Sequence, residues 1–304
     1  MPNQAVISAF RGLQRHIPPM HLYEMAKRDG MWNPTDIDLS QDIKDWWSFN
    51  AAEQDLLLRL TSIFQSGVET VIMNLIPLIE VIAYEGRLEE EMYLATLLLD
   101  EVKHTDFFCR IISEVVQSET ELSQYYTPNF RNIIYEAFPE VLGRLHHDNS
   151  LTAQLHAAMT YHLVLEGVLA ETGYHAYSVI LNTRDLMPGV RRGIGFIEQD
   201  LARHTGYGTF LLSRLIVHDK GLWSILEENM NSLLAPAMSV IGEIFAAYDP
   251  MPFGLITNDY LNYALDQFTR RFSSIQEARG ASLDEIYRMT SSNISEYQSA
   301  EHRA

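Results

Sequence analysis

The stretch Asp100-Glu101-Val102-Lys103-His104 lies inside a long apolar segment that the sequence predicts to be helical. Glu101 and His104 stand three residues apart, so both side chains leave the helix on one face, about one turn apart. A carboxylate and an imidazole in this arrangement can bind one metal ion. A single Glu-x-x-His also occurs by chance, usually as a surface salt bridge, so a metal site needs further ligands from elsewhere in the chain.

Two later segments offer such ligands. Glu166 lies on an apolar helix face, where an unpaired charge is costly. Its partner is either a metal or a hydrogen-bonding neighbour in the core, and the residues alone leave both open. The second segment contains His204, but Leu201 rather than a carboxylate stands three residues before it. His162 and His175 are predicted to be structural.

Composition limits the class of protein. The chain has 304 residues, 47% of them hydrophobic, which is enough for one large core, and no linker interrupts it. Its formal net charge of -18 disfavours binding to nucleic acids and to anionic membrane surfaces. The most apolar stretch, residues 71–83, is broken by Asn74, Pro77 and Glu80, so we expect no membrane insertion.

The N-terminal segment and the cysteine usage point to a compartment. Residues 1–15 lack the basic start, apolar run and cleavage site of a secretory signal. The one cysteine, Cys109, excludes an internal disulfide and is predicted to be a small buried apolar residue. We therefore expect a cytoplasmic protein.

Apolar residues recurring three and four positions apart predict an all-α fold, with four long central helices and additional shorter ones. Pro77 should kink or end the first long helix, and Gly30 should stop the short helix before it in a left-handed conformation. Ser40 or Asp42 could cap the element that follows them in the chain. The predicted helices cover residues 21–27, 51–84, 88–116, 130–147, 151–181, 190–218, 222–247 and 255–278.

The same pattern divides the chain into three parts. Residues 1–17 form an N-terminal arm, residues 18–280 one helical domain, and residues 281–304 a polar tail that is flexible or contacts a partner. No stretch alternates in the manner of a strand, and no internal repeat is present.

A helical bundle that binds two metal ions takes one Glu from each of two helices and Glu-x-x-His from each of two others. Further motifs extend this pattern along the chain. They are Leu22-Tyr23-Glu24-Met25-Ala26-Lys27-Arg28, Trp32-Asn33-Pro34, Asp36-Ile37-Asp38, Ser40-Gln41-Asp42, Gly86-Arg87-Leu88-Glu89, Val164 through Glu171, and Arg203-His204. On these residues, which span roughly positions 18–271, the chain resembles the ribonucleotide reductase small-subunit superfamily. It is most similar to the ligand-binding oxidases of that superfamily, which carry a manganese/iron centre.

The resemblance implies a ferritin-like four-helix core, iron or manganese as the cofactor, and a homodimer. Four of the family's six ligands carry over to this chain, as Glu101, His104, Glu166 and His204. The two remaining ligand positions, both carboxylates in the family, fall on Val68 and Leu201. Two divalent ions bring about four positive charges, which two glutamates cannot offset, so we expect one ion per chain.

Other positions have roles that the resemblance implies. Asp200 is expected to orient His104 from behind, and Glu69 could replace a lost ligand only through a local bulge. Val71 and Tyr161 match a valine and a tyrosine that become joined by metal-driven oxidation in the ligand-binding oxidases, although Tyr161 could also be simple core packing. The same oxidases hold a long-chain fatty-acid-like ligand beside the metal.

Three functions remain open at this point. The first is a metal-dependent oxidoreductase that activates oxygen at an altered, mononuclear site and acts on a small or long-chain apolar substrate. The second is a metal-free tyrosine-radical subunit of a ribonucleotide-reductase-like system. The third is a lipid- or ligand-binding pseudoenzyme. Four polar ligand-type residues in an apolar interior count against the third, because a bland core would be more stable without them.

Overall fold

The computed structural model of the chain describes residue 8, residues 11–117 and residues 121–290. All regular elements in these residues are helical, as the sequence predicts, and none of them is a strand. The principal helices are α1 (Pro18–Asp29), α2 (Ser40–Trp46), α3 (Ala51–Asn74), α4 (Ile76–Tyr84), α5 (Leu88–Arg110, continued by Ile111–Val116), α6 (Pro128–Arg131, Asn132–Ala137 and Phe138–Arg144), α7 (Leu151–Ala158, Met159–Ala170 and Glu171–Arg184), α8 (Pro188–His218), α9 (Leu222–Ala246) and α10 (Thr257–Glu277).

Four long helices form the core of the bundle. Helix α3 packs on α5, α5 on α8, α8 on α7, and α7 on α3, so the four close a ring around one interior. Helices α9 and α10 pack on the outside of α7. This is the predicted four-helix core with additional helices, and it brings the segments that carry Glu101, Glu166 and His204 to one interior.

The start and the break of the first long helix have local causes. The Asn50 side chain accepts hydrogen bonds from the backbone of α3, and the Glu53 side chain accepts one from the backbone N–H of Asn50, which forms a capping box. Pro77 lies in the first turn of α4, where its missing N–H costs nothing, and Leu75 separates α4 from α3. The predicted break at Pro77 is confirmed.

The predicted left-handed stop at Gly30 is wrong. Gly30 follows α1 with φ -92° and ψ 1°, which other residues also adopt. A glycine is needed here for space, because a Cβ on it would lie 2.4 Å from a guanidinium nitrogen of Arg203. Its carbonyl also accepts a hydrogen bond from Lys103. Glycine is therefore required at this position by contacts with residues far along the chain, which the sequence signals for helix termination do not include.

The predicted cap of α2 is also wrong. The N-cap position is Leu39, with no side-chain hydrogen bond. Asp42 is instead fully buried and accepts from the backbone N–H groups of Gly189, at 3.0 Å, and Val190, at 2.6 Å. It therefore caps α8, whose first turn presents free N–H groups.

Cys109 is exposed rather than buried. It lies on the outward side of α5 with Val102 and Asp106, which precede it by seven and three residues and are also exposed. The Gln65 side chain donates a hydrogen bond to its sulfur at 3.4 Å. The helix around Cys109 therefore has a solvent-exposed side as well as a buried side.

Both ends of the described chain contact the bundle. Arg11 forms an ion pair with the buried Glu89 at 2.5 Å, and Ile17 is buried. At the other end, residues 283–290 are helical and Ile286 is buried. Part of the predicted tail therefore packs on the bundle, and the rest of it lies outside the described residues.

One helical stretch, Ala51–Tyr84, is long and apolar enough to cross a membrane by length and composition. Half of its most apolar window is buried inside the bundle, as in a core helix of a water-soluble protein.

Candidate metal site

Four ligand-type side chains converge in the interior from three core helices. Glu101 and His104 lie on α5, Glu166 on α7 and His204 on α8, and all four are buried. Ligand atoms of Glu101, Glu166 and His204 all lie within 4.8 Å of one another, close enough for one metal ion. The Nδ1 atom of His104 lies beside this group, 3.6 Å from Glu101 Oε2.

A widened helical segment carries the α7 part of the site. Residues Met159–Ala170 form a π-helix, a distortion that is frequent at functional sites. It holds Tyr161, His162 and Glu166 in the buried interior. The Tyr161 hydroxyl donates a hydrogen bond to Glu101 Oε1 at 3.2 Å, which joins α7 to α5.

Glu166 is the most strongly held carboxylate of the site. Its Oε1 lies 2.9 Å from His204 Nδ1, and its Oε2 lies 2.7 Å from His162 Nδ1. Burial raises the pKa of Glu166, but the two histidines outweigh burial and bring that pKa down to about 2. Burial likewise lowers the pKa of His204, and the carboxylates around it, chiefly Glu166, raise it to about 10. The site thus concentrates negative charge that suits a cation.

Two aspartates hold the outer nitrogens of the two candidate ligand histidines. His104 Nε2 lies 3.0 Å from Asp200 Oδ2, the contact that the resemblance predicts, and His204 Nε2 lies 3.3 Å from Asp100 Oδ2. In both rings Nδ1 is left facing the glutamates. A histidine that binds a metal through one nitrogen typically donates its other N–H to a carboxylate.

Basic and aromatic side chains fix these aspartates in turn. Lys103 lies 2.7 Å from Asp100 and 3.3 Å from Asp200, and Arg203 pairs with both aspartates. The indole N–H of Trp32 donates to Asp200 at 2.9 Å. These buried charges therefore form one paired network, which makes them tolerable in the core.

The two positions at which the resemblance implies a lost carboxylate, Val68 and Leu201, lie beside the ligand-type residues. Val68 and Leu201 are buried and line one cavity together with the four ligand-type residues. Neither rescue of a lost ligand is seen. Glu69 is exposed and bonds to Gln65, and Asp200 faces His104 from behind. The ligand-type groups that line this cavity are thus two glutamates and two histidines.

The cavity beside these residues has a volume of about 100 Å³. Its wall is mostly apolar and comes from α3, α5, α7, α8 and α9, with Phe130 added from α6 and Tyr260 from α10. Val71 lies in this wall, whereas Tyr161 contacts the site through Glu101. The cavity places a small apolar space directly against the ligand-type groups.

Sequence reasoning missed four members of the site. Trp32, Asp100 and Arg203 appeared in motifs without any role, and His162 was predicted to be structural. Asp100 had a usable signal, because it precedes His104 by four residues just as Asp200 precedes His204. Trp32 and Arg203 had none, since their contacts join distant parts of the chain.

Comparison with known proteins agrees with this geometry. The family described as "Ribonucleotide reductase, small chain" matches residues 20–273. The chain belongs to this family. Among solved structures, the R2-like ligand-binding oxidase with an aerobically reconstituted Mn/Fe cofactor is 30% identical, with a TM-score of 0.86 over 90% of this chain and 98% of that one. A tyrosine-to-phenylalanine variant of such an oxidase is 31% identical, with a TM-score of 0.83 over 89% and 98% of the two chains.

These matches confirm the predicted family, its ferritin-like helical fold and the similarity to the ligand-binding oxidases. In a chain of this family, Val68 and Leu201 thus line the cavity beside the four ligand-type residues.

Proposed function

We propose that this chain is a metal-dependent oxidoreductase that activates dioxygen at a single iron or manganese ion, held by Glu101, His104, Glu166 and His204. The Mn/Fe cofactor of the similar oxidases supports the choice of metals. The observation that carries the proposal is the burial of Val68 and Leu201 in the cavity wall beside the four ligands, which leaves donors for one ion only. We also carry over the cytoplasmic location and the homodimer as parts of this proposal.

Each residue has a distinct task in this proposal. The bound ion supplies redox chemistry toward dioxygen. Glu101 and Glu166 offset its charge, while His104 and His204 bind through Nδ1 because their Nε2 atoms are held by aspartates. Tyr161 donates a hydrogen bond to Glu101, 3.2 Å away, so Glu101 would accept the phenolic proton if dioxygen, activated at the ion, took an electron from the ring.

The cavity is the proposed place of the substrate. Its apolar wall disfavours water and suits a hydrocarbon chain or a small apolar molecule. Val71 lies in the same wall and is the side chain that we propose can be oxidised in place of a substrate. A fatty-acid-like ligand would lie with its polar end toward the glutamates and its chain along the apolar wall.

The test is the metal content per chain. Protein loaded with iron and manganese without oxygen is measured by elemental analysis, and its intact mass is recorded before and after exposure to air. We expect one metal ion per chain. Two ions would contradict the mononuclear site, and none would contradict the proposal as a whole.

Restoring the two carboxylates gives a sharper prediction. The double variant Val68→Glu/Leu201→Glu should bind two metal ions per chain, because it regains the four carboxylates of the family site. The matched control, Val68→Gln/Leu201→Gln, adds similar volume without charge and should stay at one ion. A double-Glu variant that folds and still binds one ion would contradict the assignment of these two positions.

A second function has an observation in its favour. Tyr161 is fully buried and donates a hydrogen bond to Glu101, while Glu166 lies 2.9 Å from His204 Nδ1, so the buried groups around this tyrosine form a connected network. A metal-free tyrosine-radical subunit would need such a network. It predicts no bound metal and a mass gain of one oxygen on a core tyrosine. No metal and no mass gain would leave the lipid-binding pseudoenzyme.

A further inference from the structure

His162 is buried beside the site but has no task in the function proposed above. It is 1% exposed, and its Nδ1 lies 2.7 Å from Glu166 Oε2. A carboxylate oxygen of an ionised glutamate can only accept, so Nδ1 carries a proton and donates it to this contact. Its Nε2 has no hydrogen-bond partner among the described residues. Among the described residues, the side chain of His162 therefore makes its hydrogen bond to Glu166 alone.

The ring of His162 is held tightly in this position. The Tyr161 ring lies 4.3 Å from it between centroids, and the Tyr207 ring meets it edge-on at 5.7 Å. Gly208 makes room for it, because a Cβ there would lie 2.2 Å from the Cβ of His162. These neighbours restrict the orientation of the His162 ring, and in this orientation its Nδ1 faces Glu166.

The contact divides the two oxygens of Glu166 between two neighbours. Oε2 faces His162, whereas Oε1 faces His204 Nδ1 at 2.9 Å. His204 Nδ1 also lies 3.6 Å from Glu101 Oε1, and Glu101, Glu166 and His204 form one group of ligand atoms to which His162 does not belong. A glutamate held in this way has its Oε2 engaged by His162, and turning it to present both oxygens to one metal would weaken that hydrogen bond.

We propose that His162 is a positioning residue that fixes Glu166 as a one-oxygen metal ligand. This inference rests on the proposed function, because it requires a metal at the site. It supplies a second reason for a single ion, since Val68 and Leu201 remove two ligands while His162 prevents Glu166 from serving two metals. A core histidine placed only for packing would not need to direct its one hydrogen bond at a ligand.

The experiment compares three histidine variants with the wild type. His162→Leu removes the donor, and His162→Asn keeps an N–H close to the position of Nδ1. The control is His156→Leu, which removes a half-buried histidine elsewhere on α7. For each protein, Mn²⁺ affinity is measured by titration. Carboxylate stretching bands are recorded as the infrared difference between Mn²⁺-loaded and metal-free protein, with Glu166→Gln identifying the bands of Glu166.

The expected result separates positioning from folding. His162→Leu should lose about 10- to 100-fold in Mn²⁺ affinity, as outer partners of metal ligands typically do, and its Glu166 bands should move from the one-oxygen to the two-oxygen pattern. His162→Asn should keep the wild-type bands and most of the affinity. His156→Leu should match the wild type in both measurements.

Two outcomes would overturn the inference in different ways. If the wild type binds Mn²⁺ but its Glu166 bands show two-oxygen coordination, or if His162→Leu keeps affinity and bands, His162 has no positioning role and the proposed function stands. The wild-type bands decide this even where His162→Leu does not fold. If the wild type binds no metal, the proposed function fails and the inference fails with it.

Discussion

Asp100 and Asp200 each stand four residues before a histidine on their own helix, yet each contacts the histidine of the other helix. Asp200 meets His104 on α5, and Asp100 meets His204 on α8. This crossed pairing gives each ring one aspartate behind it, and it explains why neither aspartate points into the site.

The crossed aspartates predict a loss of metal affinity on substitution. Asp100→Asn and Asp200→Asn should each weaken Mn²⁺ binding about 10- to 100-fold, because they remove the charge that orients and polarises a ligand histidine. Titration with Mn²⁺ measures the loss. The control is Asp106→Asn, which changes an exposed aspartate on α5 and should bind as the wild type does. Unchanged affinity in both variants would show that these aspartates only balance Lys103 and Arg203.

Glu89 predicts a pH-dependent stability that is independent of the site. The Arg11 side chain and the backbone N–H of Gln14 hydrogen-bond to Glu89 and, against the effect of burial, lower its pKa from 4.5 to about 2. A lowered pKa stabilises the fold above the unfolded-state value and loses that contribution as the pH falls toward 2. Glu89→Gln should therefore lower the free energy of unfolding by about 2 kcal/mol at neutral pH, and the difference should shrink below about pH 5.

Denaturant unfolding at several pH values checks this prediction. Glu91→Gln, on the same turn, is the control and should show no such pH dependence. A constant difference between Glu89→Gln and the wild type from pH 7 to pH 3 would contradict the role of the ion pair.

At the scale of helices, two glycines of α8 differ sharply in their surroundings. A Cβ at Gly193 would lie 2.0 Å from the ring of Phe107 on α5, whereas a Cβ at Gly195 would meet nothing within 4 Å. Gly193→Ala should therefore destabilise the fold by about 1–3 kcal/mol through overpacking. Gly195→Ala should stabilise it by about 0.5–1 kcal/mol, because alanine favours a helix more than glycine does.

Thermal or denaturant unfolding of both variants measures the difference. Equal effects of the two substitutions would show that α5 and α8 can move apart at no cost. Opposite signs are expected, and they would locate the closest approach of these helices at Gly193.

Helix positions were predictable from the sequence because they depend on local spacing. The four long helices begin and end within a few residues of the predicted bounds, and Pro77 interrupts the first as its chemistry requires. Gly30, Asp42 and Cys109 were mispredicted for a common reason. The surroundings of each residue are set by parts of the chain that are far away in sequence. Rules based on neighbouring residues, such as those for helix caps and periodicity, do not include such contacts.

The site was predictable to a similar extent. Glu101 and His104 follow from spacing, whereas Glu166 and His204 needed the family pattern. The structure groups Glu101, Glu166 and His204 and places His104 beside Glu101. The role of His162 could not be foreseen, because a histidine four residues before a glutamate occurs in many helices. Only the three-dimensional contact to Glu166 Oε2 distinguishes it.

For the whole molecule, an exposed apolar face predicts self-association. Met73 on α3, Ile76 on α4, and Leu99 and Val102 on α5 are 79%, 44%, 43% and 47% exposed, on helices that pack on one another. Large apolar side chains left exposed on adjoining helices are typical of an interface. We expect a homodimer through this face in analytical ultracentrifugation.

Charge placed on this face should separate the dimer. Met73→Asp/Val102→Asp should sediment as a monomer with an unchanged helical circular dichroism spectrum. The control is Met31→Asp, which adds the same charge at an exposed methionine outside these helices and should stay dimeric. A wild type that sediments as a monomer would contradict the prediction directly.

The crossed aspartate–histidine pairs also have a mechanical consequence. Moving α5 along α8 by one residue, about 1.5 Å of rise, would pull Asp200 from His104 and Asp100 from His204 at the same moment. The two contacts therefore fix the register of α5 against α8, and neither helix can slide along the other without breaking both contacts. Because the rings in these contacts are the proposed ligands, filling the site should strengthen both contacts, and slower amide exchange at mid-helix would report it.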